Sequence, residues 1–198
     1  MEKGWTQVVS KIATEIIELS DEMIDWFEQR TKRHIQLVQK YCSRIADYNA
    51  DRFPNIIELG QVHDASKFVS PERDPYVLIS WDYHCKDKGI PFKLPDDIKD
   101  KMNEATEHHV KSNSHHPEQW SNQSQTISRE NRNAPCKLID ATKMPDESIA
   151  EMCADWCAMS EERNNTPRQW ADKNVNIRWK FTDEQKELIY ELLDIIWE

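Results

Sequence analysis

Residues 31–48 read TKRHIQLVQKYCSRIADY, and their apolar positions recur at intervals of three and four residues. His34, Val38, Tyr41 and Ile45 therefore fall on one stripe, which is typical of an amphipathic α-helix. The stripe places His34 on the buried face, where a polar ring without a partner would be costly. The segment thus predicts a helical protein that carries a histidine in its interior.

The same periodicity recurs along the rest of the chain. Only 3 of the 198 residues are glycine, which disfavours a β fold rich in tight turns. The predicted helices run from about Trp5 to Phe27, about Thr31 to Tyr48, Pro71 to about Lys88, about Pro95 to His109, about Asp146 to Glu162, and from the Thr182 cap to the end. Ser70 is the expected N-cap of the third helix and Gly89 lies at its expected end, while Gln185 stands at the capping-box position after Thr182. They predict an all-α fold with a single domain over residues 1–198, because no linker or internal repeat divides the chain.

Composition narrows the choice of partners. The formal net charge of -10 disfavours binding to duplex DNA or to an anionic membrane.

The five cysteines form no Cys-x-x-Cys pair, which favours reduced thiols. The first residues lack the apolar segment of a signal peptide, and no apolar run reaches the length of a membrane span. We therefore expect a soluble cytoplasmic protein, with association into a homo-oligomer left open.

Six of the seven histidines occur in an order that packing alone does not explain. After His34 come the pair His63-Asp64 and then two histidine pairs in HHVKSNSHHPE, residues 108–118. Asp155 follows on a later predicted helix. Neutral imidazoles and carboxylates suit zinc, manganese, iron and related ions. The pattern predicts a metal site assembled from distant parts of the chain.

Helical phase separates the two histidines of the first pair. Ile98, Met102, Ala105 and His109 lie at i, i+4, i+7 and i+11, so His109 is expected to point inward. His108 is rotated from it by about 100°. The two neighbours therefore need not share a role.

A long polar stretch follows this helix. Residues from about Ser112 to Asn133 lack apolar periodicity, which predicts a long loop that carries His115 and His116. Loops of this length in compact domains are often functional.

Taken in order, these residues resemble the HD superfamily of metal-dependent phosphohydrolases. His63-Asp64-Ala65-Ser66-Lys67 is similar to the family's His-Asp-x-x-Lys core, while His34 and Asp155 match its first and last ligands. The segment 108–118 resembles an HD-like branch found in bacteria and phages. No Gly-Tyr-Pro follows the paired histidines, which separates the chain from the HD branch that cleaves cyclic dinucleotides. The resemblance implies an HD-domain-like helical bundle and covers roughly residues 31–162.

The resemblance also implies one or two divalent ions, of manganese, iron, zinc, cobalt or magnesium. The expected ligands are His34, His63, Asp64, His109, His116 and Asp155. Asp64 can hold one ion or bridge two, and two ions about 3.5–4 Å apart can bind both the attacking hydroxide and a phosphoryl oxygen. Within each histidine pair the two members can exchange roles.

Other residues are candidates for catalysis or for substrate binding. Lys67 follows Asp64 by three residues and, if the helix continues through it, can neutralise charge on a phosphate in the transition state. Asp64 and Glu118 are further catalytic candidates. Glu107, Glu118 and Glu151 can each either support the metal ligands or transfer a proton. The candidates for substrate contact are His108, Lys111, His115 and Trp120, on whose ring a base can stack.

Three functions are compatible with this pattern. The leading one is hydrolysis of a phosphate ester or anhydride in a small molecule, a nucleotide first of all, by metal-activated water. The second is a di-iron HD-fold oxygenase, since a histidine-rich site also suits iron. The third is a non-catalytic protein that binds a metal or a nucleotide. Structural zinc sites usually have four ligands and are closed, and the larger set of candidates here favours an open site.

Overall fold

The computed structural model describes residues 18–95, 97–122 and 138–197, and these form an α-helical architecture. The seven α-helices in these ranges are α1 (Asp21–Asn49), α2 (Ile56–Val62), α3 (Arg73–Lys88), α4 (Ile98–Ser112), α5 (Asp146–Arg163), α6 (Pro167–Asn174) and α7 (Asp183–Trp197). Two 3₁₀ turns, Ala65–Phe68 and Pro117–Trp120, and the parallel two-residue strands β1 (Ile139–Asp140) and β2 (Trp179–Lys180) complete the described elements. The predicted all-α class is confirmed.

The first described helix differs from its prediction. One helix spans Asp21–Asn49, so the expected break between Phe27 and Thr31 is wrong. The residues between them include neither proline nor glycine, and the buried stripe continues from Phe27 through Thr31 to His34. A continuous stripe allows one helix to bury all of these side chains. The predicted helix residues before 18 lie outside the described part of the chain.

The core lies where α5 packs against both α1 and α7. Ile45 of α1, Ile149 and Trp156 of α5, and Leu192 of α7 are buried there. Burial of one such aliphatic side chain contributes about 1.5–3 kcal/mol, which fixes the helices against one another. The packing of α1 along α5 brings the middle of each helix close to the other, and this is where His34 and Asp155 lie.

Capping residues set two of the helix ends as the sequence indicated. Gly89 ends α3 in the left-handed conformation, with φ of 66°. Thr182 and Gln185 form a capping box before α7, in which the Gln185 backbone N–H donates to Thr182 Oγ1 at 3.2 Å. The Thr182 backbone N–H donates in return to Gln185 Oε1 at 2.9 Å. Both predicted signals are confirmed.

The start of α3 departs from the prediction. The helix begins at Arg73 rather than at Pro71, and Ser70 is not its N-cap. The backbone N–H groups of Glu72 and Arg73 both donate to the Val69 carbonyl, so a turn precedes the helix. This turn carries Glu72 into the interior, where its side chain is fully buried.

The histidine-rich segment is more compact than the predicted long loop. α4 ends at Ser112, and only four residues separate it from the 3₁₀ turn Pro117–Trp120. His115 and His116 lie between these elements and are buried, so the part of the expected loop that carries them is a tight connection. Residues 123–137, which include most of the rest, lie outside the described part of the chain.

The long helix α1 has a charged outer face. α1, with 29 residues, is the longest of those described, and charged side chains such as Lys32 and Lys40 stand on its outer face. Within residues 18–95, 97–122 and 138–197, no helix combines the length and the apolar character needed to cross a membrane.

Candidate metal centre

Distant segments bring their histidines and aspartates together in the interior. His34 comes from the middle of α1, and His63-Asp64 forms the turn after α2. His109 lies in the last turn of α4, and Asp155 in the middle of α5. The inward direction that helical phase predicted for His34 and His109 is confirmed, since both are buried.

One group of donors joins α1, the turn after α2, and α5. His34 Nε2 lies 3.0 Å from Asp155 Oδ1. His63 Nε2 lies 3.9 Å from the same carboxylate oxygen. The ligand atoms of these three residues all lie within 4.8 Å of one another, which is close enough for a single ion to bind all three.

Asp64 lies between this group and the histidines of the later segment. Its Oδ2 is 3.9 Å from His34 Nε2 and 3.7 Å from His63 Nε2. Its Oδ1 is 3.3 Å from His109 Nε2 and 3.7 Å from His115 Nε2. Each oxygen of one carboxylate therefore faces a different pair of imidazoles.

The backbone of Asp64 directs this side chain inward. Asp64 has a φ of 58°, in the left-handed region that aspartate visits more readily than most residues. Although it precedes the 3₁₀ turn Ala65–Phe68, its side chain makes no capping hydrogen bond. The Asp64 side chain therefore faces the buried histidines and does not cap the turn that follows it.

Glu151 on α5 orients two of the imidazoles through their other nitrogen. Its Oε1 lies 2.9 Å from His63 Nδ1 and 3.2 Å from His115 Nδ1. Its Oε2 accepts a hydrogen bond from Ser114 Oγ at 3.0 Å. A carboxylate on Nδ1 leaves Nε2 available, and this is the usual support of a metal-ligating histidine.

Glu72 also contacts two imidazoles at Nδ1, in this case at the end of α4. Its Oε2 lies 2.9 Å from His109 Nδ1, and its Oε1 lies 2.7 Å from His108 Nδ1. The His108 side chain is 40% exposed, whereas that of His109 is 3% exposed. Glu72 thus links a buried candidate ligand to a histidine at the surface.

Among the described residues, the buried polar atoms at this place that lack a hydrogen-bond partner include His63 Nε2 and Asp64 Oδ1. Both are buried, and a buried polar atom without a partner costs about 1–3 kcal/mol. His63 Nε2 and Asp64 Oδ1 each lie beside other nitrogen and oxygen atoms that can bind a metal. A bound cation would therefore satisfy both atoms. The donors therefore fit a divalent ion of the zinc, iron or manganese type.

The pKa values of the candidate ligands differ from one residue to the next. Burial alone would raise the pKa of Asp64, but the Lys67 ammonium and the His63 imidazole hold it well below its usual range. Burial and the charge of Lys67 lower the pKa of His109 to about 4, so this ring is neutral. Burial opposes charge on His34 as well, yet its contacts with Asp155 and Glu162 raise its pKa to about 9. A proton therefore occupies the place that a cation would take at His34.

Lys67 lies beside the cluster, although no α-helix continues through it. It belongs to the 3₁₀ turn Ala65–Phe68, and its ammonium donates to Asp64 Oδ2. The tight turn, in which residues i and i+3 eclipse, places the lysine above the carboxylate.

Solvent reaches the cluster at a limited set of side chains. The Asp155 and Lys67 side chains are each 17% exposed, and that of Glu162 is 14% exposed. The side chains of His63 and Asp64, by contrast, are only 1% and 2% exposed. The cluster is therefore nearest to solvent at these three partly exposed side chains.

Comparison with protein families places the chain in a group without an assigned function. The model of a family of unknown function, DUF5662, matches residues 23–195. The chain belongs to the DUF5662 family. Comparison with curated proteins and with solved structures gave no match. The DUF5662 description names no activity, so the expected kinship with HD phosphohydrolases stays a prediction.

The structure brings both members of the second histidine pair of this DUF5662 protein to the cluster. His116 was the predicted ligand and His115 the predicted substrate contact, and His115 Nε2 lies 3.7 Å from Asp64 Oδ1. His116 belongs to a group with His109 and His115 whose ligand atoms lie within 4.8 Å of one another. The geometry therefore makes both members of the pair candidate ligands.

Glu118, a predicted catalytic residue, is in contact with the C-terminal part of the chain. Its Oε1 accepts hydrogen bonds from Arg178 at 3.0 Å and from Trp179 Nε1 at 3.1 Å. Both partners flank or belong to β2, so the contact anchors the histidine-rich segment to another part of the fold. These contacts favour a positioning role for Glu118.

Two predicted substrate contacts lie further out. Lys111 pairs with Glu107 one turn earlier on the surface of α4, so Glu107 is occupied there as well. Trp120 packs partly against the core, and its Nε1 donates to the Ser114 carbonyl at 2.9 Å.

The sequence reasoning missed two carboxylates that support the cluster, Glu72 and Glu162. Glu162 Oε2 lies 3.6 Å from His34 Nδ1. A signal for it existed, because Glu151, Asp155 and Glu162 are spaced at i, i+4 and i+11 and so share one face of α5. No local pattern marked Glu72, since only the packing of α3 against α4 brings it to His109.

Proposed function

We propose that the protein is an HD-type metal-dependent phosphohydrolase that cleaves a phosphate ester or anhydride of a small molecule, with nucleotides as the first class of substrate. The observation that carries this proposal is the position of Asp64, whose two carboxylate oxygens face two different pairs of imidazoles. A His-Asp pair that meets an earlier helical histidine and a distant aspartate is the arrangement that the HD resemblance implies.

The protein supplies the surroundings that this chemistry requires. A divalent ion bound at the cluster would act as a Lewis acid and lower the pKa of bound water. Glu151 and Glu72 hold the imidazoles at Nδ1, which keeps Nε2 available at a fixed place. Little reorganisation is then needed when charge develops in the transition state.

Lys67 supports a phosphorylated substrate in particular. Its side chain is one of the partly exposed groups at the cluster, and it carries a positive charge next to Asp64. An ammonium at this place can attract a phosphate and neutralise the charge that develops on its oxygens. The acidic chain as a whole disfavours a long polyanion, so a small substrate fits better than duplex nucleic acid.

Elemental analysis of freshly purified protein and a phosphate-release screen test the proposal. The screen presents nucleoside mono-, di- and triphosphates and simple phosphate esters with manganese, iron, cobalt, zinc or magnesium. We expect a divalent metal in the purified protein and hydrolysis of at least one compound. Asp64→Asn should reduce turnover by at least about 100-fold, since it removes a charged ligand.

Asp82→Asn is the matched control for this variant. Asp82 is also buried and also pairs with a nearby lysine, Lys86 at 2.8 Å, but it lies outside the donor groups. It should therefore retain both metal and turnover. Full activity of folded Asp64→Asn would contradict the proposal. Iron-loaded protein that consumes oxygen and releases no phosphate would instead identify the oxygenase alternative.

A further inference from the structure

We propose that His109, His115 and His116 form a separate ion position that selects a zinc-class ion, while the position of His34, His63 and Asp155 takes a manganese- or iron(II)-class ion. The inference rests on the proposed function, because it assigns different metals to the two sides of the same cluster. It goes beyond that proposal by making the centre heterometallic.

The three histidines are close enough to share one ion. Their ligand atoms lie within 4.8 Å of one another, and all three residues are buried. The His116 ring lies 4.7 Å from the His109 ring and 4.2 Å from the His115 ring, measured between centroids. The short connection after α4 enforces this proximity, because only five residues separate His109 from His115.

Packing of three rings by itself would not require their nitrogens to be oriented. Here Glu72 holds His109 at Nδ1, at 2.9 Å, and Glu151 holds His115 at Nδ1, at 3.2 Å. Both buried carboxylates leave the Nε2 atoms on the side of Asp64. Two independent supports of this kind are expected for ligands and unnecessary for simple packing.

The two positions differ in the chemistry of their donors. The first offers two imidazoles and the carboxylate of Asp155, and an oxygen donor of this kind suits manganese and iron(II). The second offers three imidazoles, a ligand set that zinc occupies in catalytic sites with an open fourth position. Affinity for nitrogen donors rises from manganese to zinc, so the three-imidazole position has the greater preference for zinc.

Asp64 gives each position one further oxygen. Its Oδ2 lies toward His34 and His63, and its Oδ1 toward His109 and His115. Each position therefore gains one carboxylate oxygen, and the Lys67 ammonium donates to Oδ2 alone. One oxygen on each side does not cancel the difference between the two ligand sets. The preference for different metals comes from the residue that differs between the two positions. This residue is the imidazole of His116 in one position and the carboxylate of Asp155 in the other.

Anomalous diffraction on the wild-type protein tests the inference directly. Metal-free protein receives one equivalent of zinc and an excess of manganese, and data are collected at the absorption edge of each metal. We expect a zinc peak at the three histidines and a manganese peak beside His34. A zinc peak beside His34, zinc divided between both places, or one ion only would overturn the inference.

Variants give a second readout by metal content after the same loading. His116→Ala should lose its zinc and keep manganese, whereas Asp155→Ala should lose manganese and keep zinc. His84→Ala is the control, since His84 lies between Trp26 and Trp81 and outside the donor groups. Loss of both metals from folded His116→Ala would contradict two separate positions. If that variant does not fold, the diffraction result decides alone.

The outcomes separate this inference from the proposed function. A protein that binds zinc and manganese as described but releases no phosphate would retain the inference and lose the phosphohydrolase proposal. A protein that hydrolyses phosphate with one kind of ion at both places would do the opposite.

Discussion

Replacement of Glu151 by glutamine tests whether the cluster depends on the carboxylate that orients it. Glu151 Oε1 lies within hydrogen-bonding distance of both His63 Nδ1 and His115 Nδ1, at 2.9 and 3.2 Å. Glutamine has nearly the same shape, but it offers one acceptor oxygen, no charge, and an amide donor that cannot pair with an imidazole N–H. Both imidazoles would then be held by a neutral oxygen in place of a charged one, and the amide nitrogen would face Ser114 Oγ.

The size of the effect follows from the number of imidazoles that are released. Loss of an outer carboxylate costs about 10–100-fold in metal affinity for each ligand that it supports. Glu151→Gln, which keeps an acceptor oxygen but loses the charge, should therefore weaken binding about 10–100-fold, or about 1.4–2.7 kcal/mol. Glu151→Ala, which removes both contacts, should weaken it by about 100-fold or more.

Competition with a chromophoric chelator at fixed pH and ionic strength measures this affinity. Glu161→Gln is the matched control, because Glu161 lies on the same helix and accepts from Tyr41 at 2.6 Å, away from the donor groups. It should bind metal like the wild type. If both Glu151 variants are folded and also bind metal as tightly as the wild type, the orienting role of this carboxylate is refuted.

Three more predictions concern the packing of α2 on α1, the protonation of His34 and the role of Glu118. Gly60→Ala places a Cβ 3.0 Å from Cys42 Sγ on α1, so it should cost about 1–3 kcal/mol in thermal or urea unfolding, and Cys42→Ala in the same chain should recover part of that loss. Because contacts with Asp155 and Glu162 outweigh burial and raise the pKa of His34 to about 9, a cation must displace its proton below that pH; metal affinity should rise with pH up to about 9 and release protons in calorimetry, and a flat profile would contradict the assignment. Glu118→Gln keeps an acceptor for its C-terminal partners and should retain turnover if the residue is an anchor, whereas turnover lost with metal retained would restore its predicted proton-transfer role.

Local patterns predicted the helices well where a single stripe or cap determines them. The inward direction of His109 followed from its phase with Met102, and the cap before α7 followed from Thr182 and Gln185. The same reasoning failed at Phe27 and Thr31, because a helix boundary was inferred without a residue that breaks helices. It also placed the start of α3 too early, since the turn on the Val69 carbonyl has no distinct sequence signal.

The roles of individual site residues were harder to predict than their membership of a site. Ligand types and chain order suggested that His34, His63, Asp64 and Asp155 belong together, and the fold brings them together. Neither order nor type distinguished His115 from its neighbour. The place of each imidazole relative to Asp64 and His109 depends on how the connection after α4 turns.

The sequence by itself determined the α-helical class, the inward faces of the helices and the kinds of donor available, because these follow from spacing and side-chain chemistry over a few residues. Tertiary structure alone decided that one Asp64 carboxylate faces two sets of imidazoles and that Glu72 supports His109. Those relations join segments that are far apart in the chain, and only the packing of the helices sets such distances.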